Sequence, residues 1–246
     1  MHPALHHTAH RPWPLPAGRW TWRQSWCDLL FAHWPVPAER LRPLVPPGLT
    51  VQTFDGTAWV GIVPFRMAGI MRRPLPDLPW VSAFPELNVR LYVERDGKPG
   101  VLFLSLDAAN PLAVWAARRF FHLPYTHARM ACEAEGDAIR YRSERLDAPR
   151  GLFFEGMYAP TSEVYHAAPG TLEHHLTERY CLYAQSPQGT LYRGEIHHAP
   201  WPLQRAEAEI RHNELLRPFG LSVEGAPLLH FARRIDVIVW PLEQAR

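Results

Sequence analysis

Three times along this chain, two runs of strand-forming residues flank a short segment built around glycine. Residues 49–54 and 57–65 flank Asp55-Gly56. That pair suits a two-residue type I′ turn, in which both central residues need positive φ. Residues 87–94 and 101–106 flank the segment 95–100, and residues 126–133 and 139–144 flank Glu135-Gly136-Asp137. Antiparallel strands need only such short turns, whereas parallel strands need long crossovers. The chain is therefore expected to be mainly β, an α+β barrel or sandwich built from hairpins rather than a βαβ sheet.

The remaining segments fill in around the hairpins. Residues 20–34 and 228–240 read as long strands, and 190–197 as a shorter one. Pro37 opens a short helix over 38–45. Asn110-Pro111 is a clean start for a helix over 110–121, with Asn as cap and Pro at the first position. Residues 171–182, with Leu172, Leu176 and Tyr180 roughly in line, and residues 203–216 also read as helices. The segment 67–85 is rich in Pro and Arg and reads as a long loop, and long ordered loops are often functional. In the arm 87–94, Leu87, Val89, Leu91 and Val93 alternate with Asn88, Arg90, Tyr92 and Glu94, one apolar face and one polar. Residues 1–16, rich in His and Pro, lack the charged start and apolar core of a signal peptide and read as a disordered tail. No repeat or linker interrupts 17–246, so a single domain is expected there.

Several function classes are set aside by what the chain lacks. Its net charge of +2 leaves no electrostatic footprint for nucleic acid. No apolar run is long enough to span a membrane. Cys27, Cys132 and Cys181 are far apart and form no CxxC, as expected of reduced, mostly buried thiols in a cytoplasmic protein. The pairs His6-His7, His174-His175 and His197-His198 place neighbouring imidazoles in different directions, and no HExxH is present, so no metal is expected. GxSxG, GxGxxG and P-loop motifs are missing too, and no cofactor is implied. Ten tryptophans read first as core packing. Of 26 lysines and arginines, Lys98 is the only lysine, and it falls in the turn of the second hairpin, where solvent is expected. Such a bias is what a GC-rich genome produces. It also means that any buried cation must be an arginine, which stays protonated and is no amine nucleophile.

The run Trp26-Cys27-Asp28-Leu29-Leu30-Phe31-Ala32-His33-Trp34-Pro35-Val36-Pro37 continues into Leu41-Arg42-Pro43-Leu44-Val45-Pro46-Pro47-Gly48-Leu49. With Trp59-Val60-Gly61-Ile62-Val63-Pro64-Phe65, Leu123-Pro124-Tyr125, Ala128, Met130 and the closing strand, it resembles the YqjF-like family of conserved bacterial proteins. That family in turn resembles the acetoacetate-decarboxylase-like superfamily. The resemblance implies a closed antiparallel β-barrel with a few peripheral helices and a pocket inside. The founding enzymes of the superfamily form a Schiff base on a buried lysine. In the matching stretch here, Arg118 and Pro124 fall on the superfamily's arginine and proline, but Arg119 replaces a glutamate and Tyr125 stands at the lysine position. Glu86 resembles the acidic residue of a Tyr-x-Glu motif, with Phe84 in the aromatic place. A phenol forms no imine, so amine-dependent decarboxylation is not expected.

On this resemblance the candidate site is Glu86 and Tyr125 as proton-handling groups and Arg118 as the carboxylate-binding fork. Phe84, Trp115 and Phe121 are its walls, and His122 and His127 flank it. The expected partner is a small-molecule ligand, a small oxo or carboxylic acid, and proton-transfer chemistry such as enolisation, hydration or lyase chemistry is one reading. A non-catalytic binding or sensing protein is another. A structural oligomerisation module with a vestigial pocket is a third, and the structural reading of the constellation itself is a buried ion pair between Glu86 and an arginine, capped by the Tyr125 hydroxyl. A homo-oligomer is compatible with all three.

Overall fold

A computed structural model of the protein describes residues 2–75, 82–147 and 151–245. Strand β1 spans Trp22–Val36, and α1 (Ala38–Leu41) runs on into a 3-10 turn over Arg42–Leu44. Then come β2 (Thr50–Val51), β3 (Ala58–Arg72), β4 (Phe84–Arg95) and β5 (Lys98–Ala108). Helix α2 (Pro111–Phe121) leads to β6 (Tyr125–Glu135), β7 (Ala138–Arg145) and β8 (Phe153–Pro160). The chain ends with α3 (Leu172–Thr177), β9 (Cys181–Gln185), β10 (Leu191–His197), β11 (Gln204–Asn213) and β12 (Leu228–Gln244).

The glycine turns reverse the chain as their chemistry requires. Asp96 and Gly97, both at positive φ, join β4 to β5 in two residues, and Gly136 sits between β6 and β7. Lys98 is thereby the first residue of β5, half-exposed, with Nζ 3.6 Å from Glu195 Oε1. Asp55 and Gly56 also turn the chain, and Phe54 bridges to Thr57 across them. The expected first hairpin stops there. The β3–β4 ladder ends at Val60 and Leu91, and β2 takes over the exposed edge of β4 at Val93 and Glu94.

The pairings run in a ring: β12 to β1, β3, β4, β5, β9, β10 and back to β12. A second layer, β6-β7-β8-β11, bridges from β5 to β12. The fold is mainly β with a few helices, as expected; one detail is corrected, because two short seams are parallel rather than antiparallel. These join Leu106–Ala108 to Tyr125–His127, and Val101 and Leu102 to Leu182 and Tyr183. A parallel pair needs a long crossover, and α2 is the crossover from β5 to β6.

Four further expectations are corrected. Residues 203–216 are mostly strand β11, because Ala206, Ala208 and Ile210 alternate with exposed Glu207, Glu209 and Arg211 at a period of two. The helix expected over 171–182 stops at Thr177, and β9 pairs between β5 and β10. The loop expected over 67–85 shrinks, since β3 pairs with β1 as far as Arg72; residues 76–81 lie outside the described residues. The tail is docked, not loose. Ala4 is buried, its carbonyl meets His197 Nε2, and Arg11 is a buried partner of Glu195 on β10. Trp13 Nε1 donates to the same carboxylate.

Strand β4 is buried on both faces. Leu87, Val89, Leu91 and Val93 enter one core cluster. Glu86, Asn88, Arg90 and Tyr92, on the other face, are buried as well. The alternating polar residues of this strand therefore point into the ring rather than to solvent.

Candidate functional site

Inside the ring lies a cavity of about 230 Å³. Every strand of the ring contributes to its wall, and α2 covers it with Ala113, Ala117 and Phe121, one helical turn apart. Asn110 starts that helix by accepting from the Leu112 and Ala113 amides at 3.0 and 3.1 Å, and His122 ends it at φ 52°. The chain then re-enters the sheet at Tyr125, paired with Leu106, which brings the phenol under the helix.

Tyr125 donates its hydroxyl hydrogen to Glu86 Oε2 at 2.8 Å. Glu86 is 3 % exposed. Burial pushes its carboxyl from 4.5 to about 8; the Tyr125 hydrogen bond opposes the rise and the Asp107 charge adds to it. Burial, then the Glu86 carboxyl, raises the Tyr125 phenol well above its ordinary range. At neutral pH the pair is a neutral acid beside a neutral phenol.

Two buried arginines also line the cavity. Arg90 donates from Nε to the Tyr92 hydroxyl at 3.0 Å and from Nη2 to the Leu176 carbonyl at 3.1 Å. Arg179 donates from Nη1 to Gln52 Oε1, while its Nε and Nη2 have no partner. Its guanidinium lies 5.1 Å from the centre of the Tyr92 ring. Burial pulls Arg179 down to about 10; Tyr92, Cys181 and Glu94 oppose the fall and Arg90 adds to it, and Gln52, which accepts from Arg179, donates in turn to Glu94 Oε2 at 2.9 Å. Among the described residues, neither arginine has a carboxylate within ion-pair distance. His33, which shares the Tyr92 hydroxyl, is held neutral by burial and by Arg90. Further along the wall, Trp26 and Trp201 stack at 5.8 Å, and both indole nitrogens are buried without partners.

Of the residues singled out from sequence, Glu86, Tyr125, Phe84 and Phe121 meet at this cavity. Arg118, Trp115, His122 and His127 do not. Arg118 sits on the outer face of α2, donating to Asp147 Oδ2 at 2.7 Å and to the Tyr125 carbonyl at 2.6 Å. It clamps the backbone of Tyr125 from outside and is no fork for a ligand in the cavity. Trp115 is 58 % exposed and touches Phe120 edge-on. The helical period explains both misplacements, since Ala113, Ala117 and Phe121 use up the inward stripe. His127 shares an outer groove with Arg118 and Asp147, and the His122 ring lies 5.1 Å from that of Tyr192. Lys98 is no part of the cavity wall. Among the described residues, no group of three or more His, Cys, Asp or Glu side chains is placed to hold a metal.

Sequence reasoning missed Arg90 and Arg179. Arg90 had a signal, its place beside Asn88 on the polar face of a strand. Arg179 had none, because it fell inside a segment read as a helix.

Comparison with known proteins supplies the context. The DUF2071 family model, described as an uncharacterized conserved protein, matches residues 23–236. Uncharacterized protein YqjF of Bacillus subtilis (strain 168) is 47% identical over 231 residues, 94% of this chain and 95% of that one. Among solved structures, the enduracididine biosynthesis enzyme MppR complexed with pyruvate matches with a TM-score of 0.64 at 13% identity, over 96% of this chain and 93% of the other. Acetoacetate decarboxylase from Legionella pneumophila matches with 0.61 at 12% identity, over 96% and 93%. At such identities the likeness is one of fold, and the fold is acetoacetate-decarboxylase-like.

Proposed function

The chain belongs to the DUF2071 family, and we propose that its cavity binds a small organic acid. Arg90 and Arg179 receive the carboxylate, and Glu86, backed by Tyr125, meets the ligand as a neutral proton donor. The observation that carries this reading is the pair of buried arginines that have no carboxylate within ion-pair distance among the described residues and line a mostly apolar cavity. A buried ion without a counter-ion costs several kcal/mol. A guanidinium cannot escape that cost by giving up its proton. An anionic ligand offsets it, and a carboxylate fits the guanidinium fork. A fold neighbour, MppR, is itself complexed with an acid, pyruvate.

The chemistry open to the bound acid follows from the residues present. Tyr125 stands where the superfamily resemblance places a lysine, and no amine lines the cavity among the described residues. Covalent imine chemistry is therefore not part of the reading. Glu86 can give its proton to a ligand carbonyl oxygen and, as the carboxylate left behind, take a hydrogen from the α-carbon, which together form the enol.

A thermal-shift and calorimetry screen of small oxo, hydroxy and plain carboxylic acids tests the reading. A ligand at about one hundred times its Kd stabilises by roughly 2.7 kcal/mol. Binding that is lost in Arg179→Met supports the assignment; binding that this variant leaves intact overturns it. For a bound oxo acid, exchange of its α-hydrogens in D2O, lost in Glu86→Gln, marks an enzyme. Tight binding without exchange or turnover marks a binding or sensing protein.

A further inference from the structure

We propose, resting on the acid-binding reading above, that the ligand carries its carboxylate and a second, uncharged oxygen at opposite ends of an apolar body, and is not a compact oxo acid. The argument begins with β4. Glu86, Asn88 and Arg90 are alternate residues of this strand, so their side chains share one face. Arg90 lies four residue steps along the strand from Glu86, about 13 Å along the backbone.

Each end group is held by its own hydrogen bonds. The Tyr125 hydroxyl holds Glu86 at the end of the cavity covered by α2. The Tyr92 hydroxyl, two residues further along β4, and the Leu176 carbonyl in α3 hold Arg90 at the opposite end. Arg179, just after α3, is held there too, by Gln52 beyond β2. Between the ends the wall is mostly apolar, with Asn88 midway, its Oδ1 buried and without a partner among the described residues. At the level of Asn88 the register places Val63 on one neighbouring strand and Leu106 on the other, and both line the cavity. The stacked Trp26 and Trp201 add flat surfaces.

Volume agrees with length. A cavity of about 230 Å³ has room for a carboxylate, a second oxygen and an aromatic ring or short chain between them. In pyruvate or acetoacetate the carboxylate and the carbonyl are adjacent or one carbon apart. Neither compound reaches Arg90 and Glu86 at once, and each leaves most of the cavity empty.

The experiment is a matched calorimetric series on the full chain. 4-Acetylbenzoate and 7-oxooctanoate span the cavity, 4-ethylbenzoate and octanoate lack the second oxygen, and pyruvate and acetoacetate are compact. The spanning acids are expected to bind roughly tenfold tighter than their oxygen-free counterparts, the worth of one buried hydrogen bond. They are expected to outbind the compact acids as well. That advantage should vanish in Glu86→Leu and survive in Glu86→Gln, whose amide still donates a hydrogen bond. Melting curves confirm that each variant is folded. Equal affinity with and without the second oxygen, or tightest binding of the compact acids, overturns this inference while Arg179→Met still abolishes binding. Affinity unchanged in Arg179→Met overturns the acid-binding reading itself, and no binding by any member of the series at millimolar concentration overturns both.

Discussion

Two buried polar clusters lie on adjacent strands, and they are built in opposite ways. In the first, Asp107 of β5 accepts from Arg145 Nε at 2.8 Å and from the Ser143 hydroxyl at 2.9 Å, while Arg145 Nη2 donates to the Ser105 hydroxyl at 2.6 Å. The charges are paired, and the pair joins β5 to β7. In the second, across the cavity, neither arginine has a carboxylate within ion-pair distance among the described residues, the nearest link being from Arg179 through Gln52 to Glu94, and Glu86 meets only the Tyr125 hydroxyl. A cluster that answers its own charges fastens the fold. One that leaves them open keeps a place for something else to bind. The difference separates a structural ion pair from a ligand site more sharply than residue type does, since both clusters hold buried arginine and acidic side chains.

The largest expected effect breaks the closed cluster. Arg145→Leu strands Asp107 and is expected to cost about 3–5 kcal/mol in urea unfolding. Arg179→Met removes an unpaired cation and is expected to cost less than about 1 kcal/mol, or to stabilise. Equal losses in the two variants erase the comparison.

Next in size is the pH dependence of Glu86. Its folded value is raised from 4.5 to about 8, so between those values the folded state holds a proton that the unfolded state has lost. The contribution of Glu86 is full below pH 4.5 and falls as pH rises, by about 1.4 kcal/mol per unit, until it levels off above pH 8. Subtracting the pH profile of Glu86→Gln from that of the wild type isolates this slope. A flat difference shows that Glu86 is already ionised in the fold.

Tyr125→Phe is a smaller change. It removes one hydrogen bond to Glu86, worth about 1 kcal/mol. Because that bond opposes the rise in the Glu86 value, the levelling-off point should move to higher pH. A downward move in the melting series contradicts the assigned direction of the bond.

The smallest expected effect belongs to Arg118→Ala. The Arg118–Asp147 pair is exposed on both sides, so stability should fall by less than about 1 kcal/mol, and the affinity for any acid ligand should not change. A large loss of affinity would return Arg118 to the site.

Much of this was legible in the chain because the signals were local. Asp96-Gly97 and Gly136 turn strands by their own backbone preference, and Asn110-Pro111 starts α2 by its own hydrogen bonds. Glu86 and Tyr125 were reachable through the family resemblance. Strand β11 was not, because its Ala and Glu residues favour a helix in isolation, and pairing with β8 and β12 overrides them. Arg118 was placed on the wrong side because a spacing of seven from Tyr125 says nothing about the rotation of α2 against the sheet.

By itself, the sequence determined that hairpins dominate and that its one lysine falls at a turn. Only the tertiary structure decided which arginines lose water without gaining a carboxylate. Burial and pairing depend on strands distant in the chain, such as β4 against β3 and β5, and β9 against β5 and β10. Arg90 and Arg179 are 89 residues apart in sequence, and it is the closing of that ring that makes them neighbours on one cavity wall.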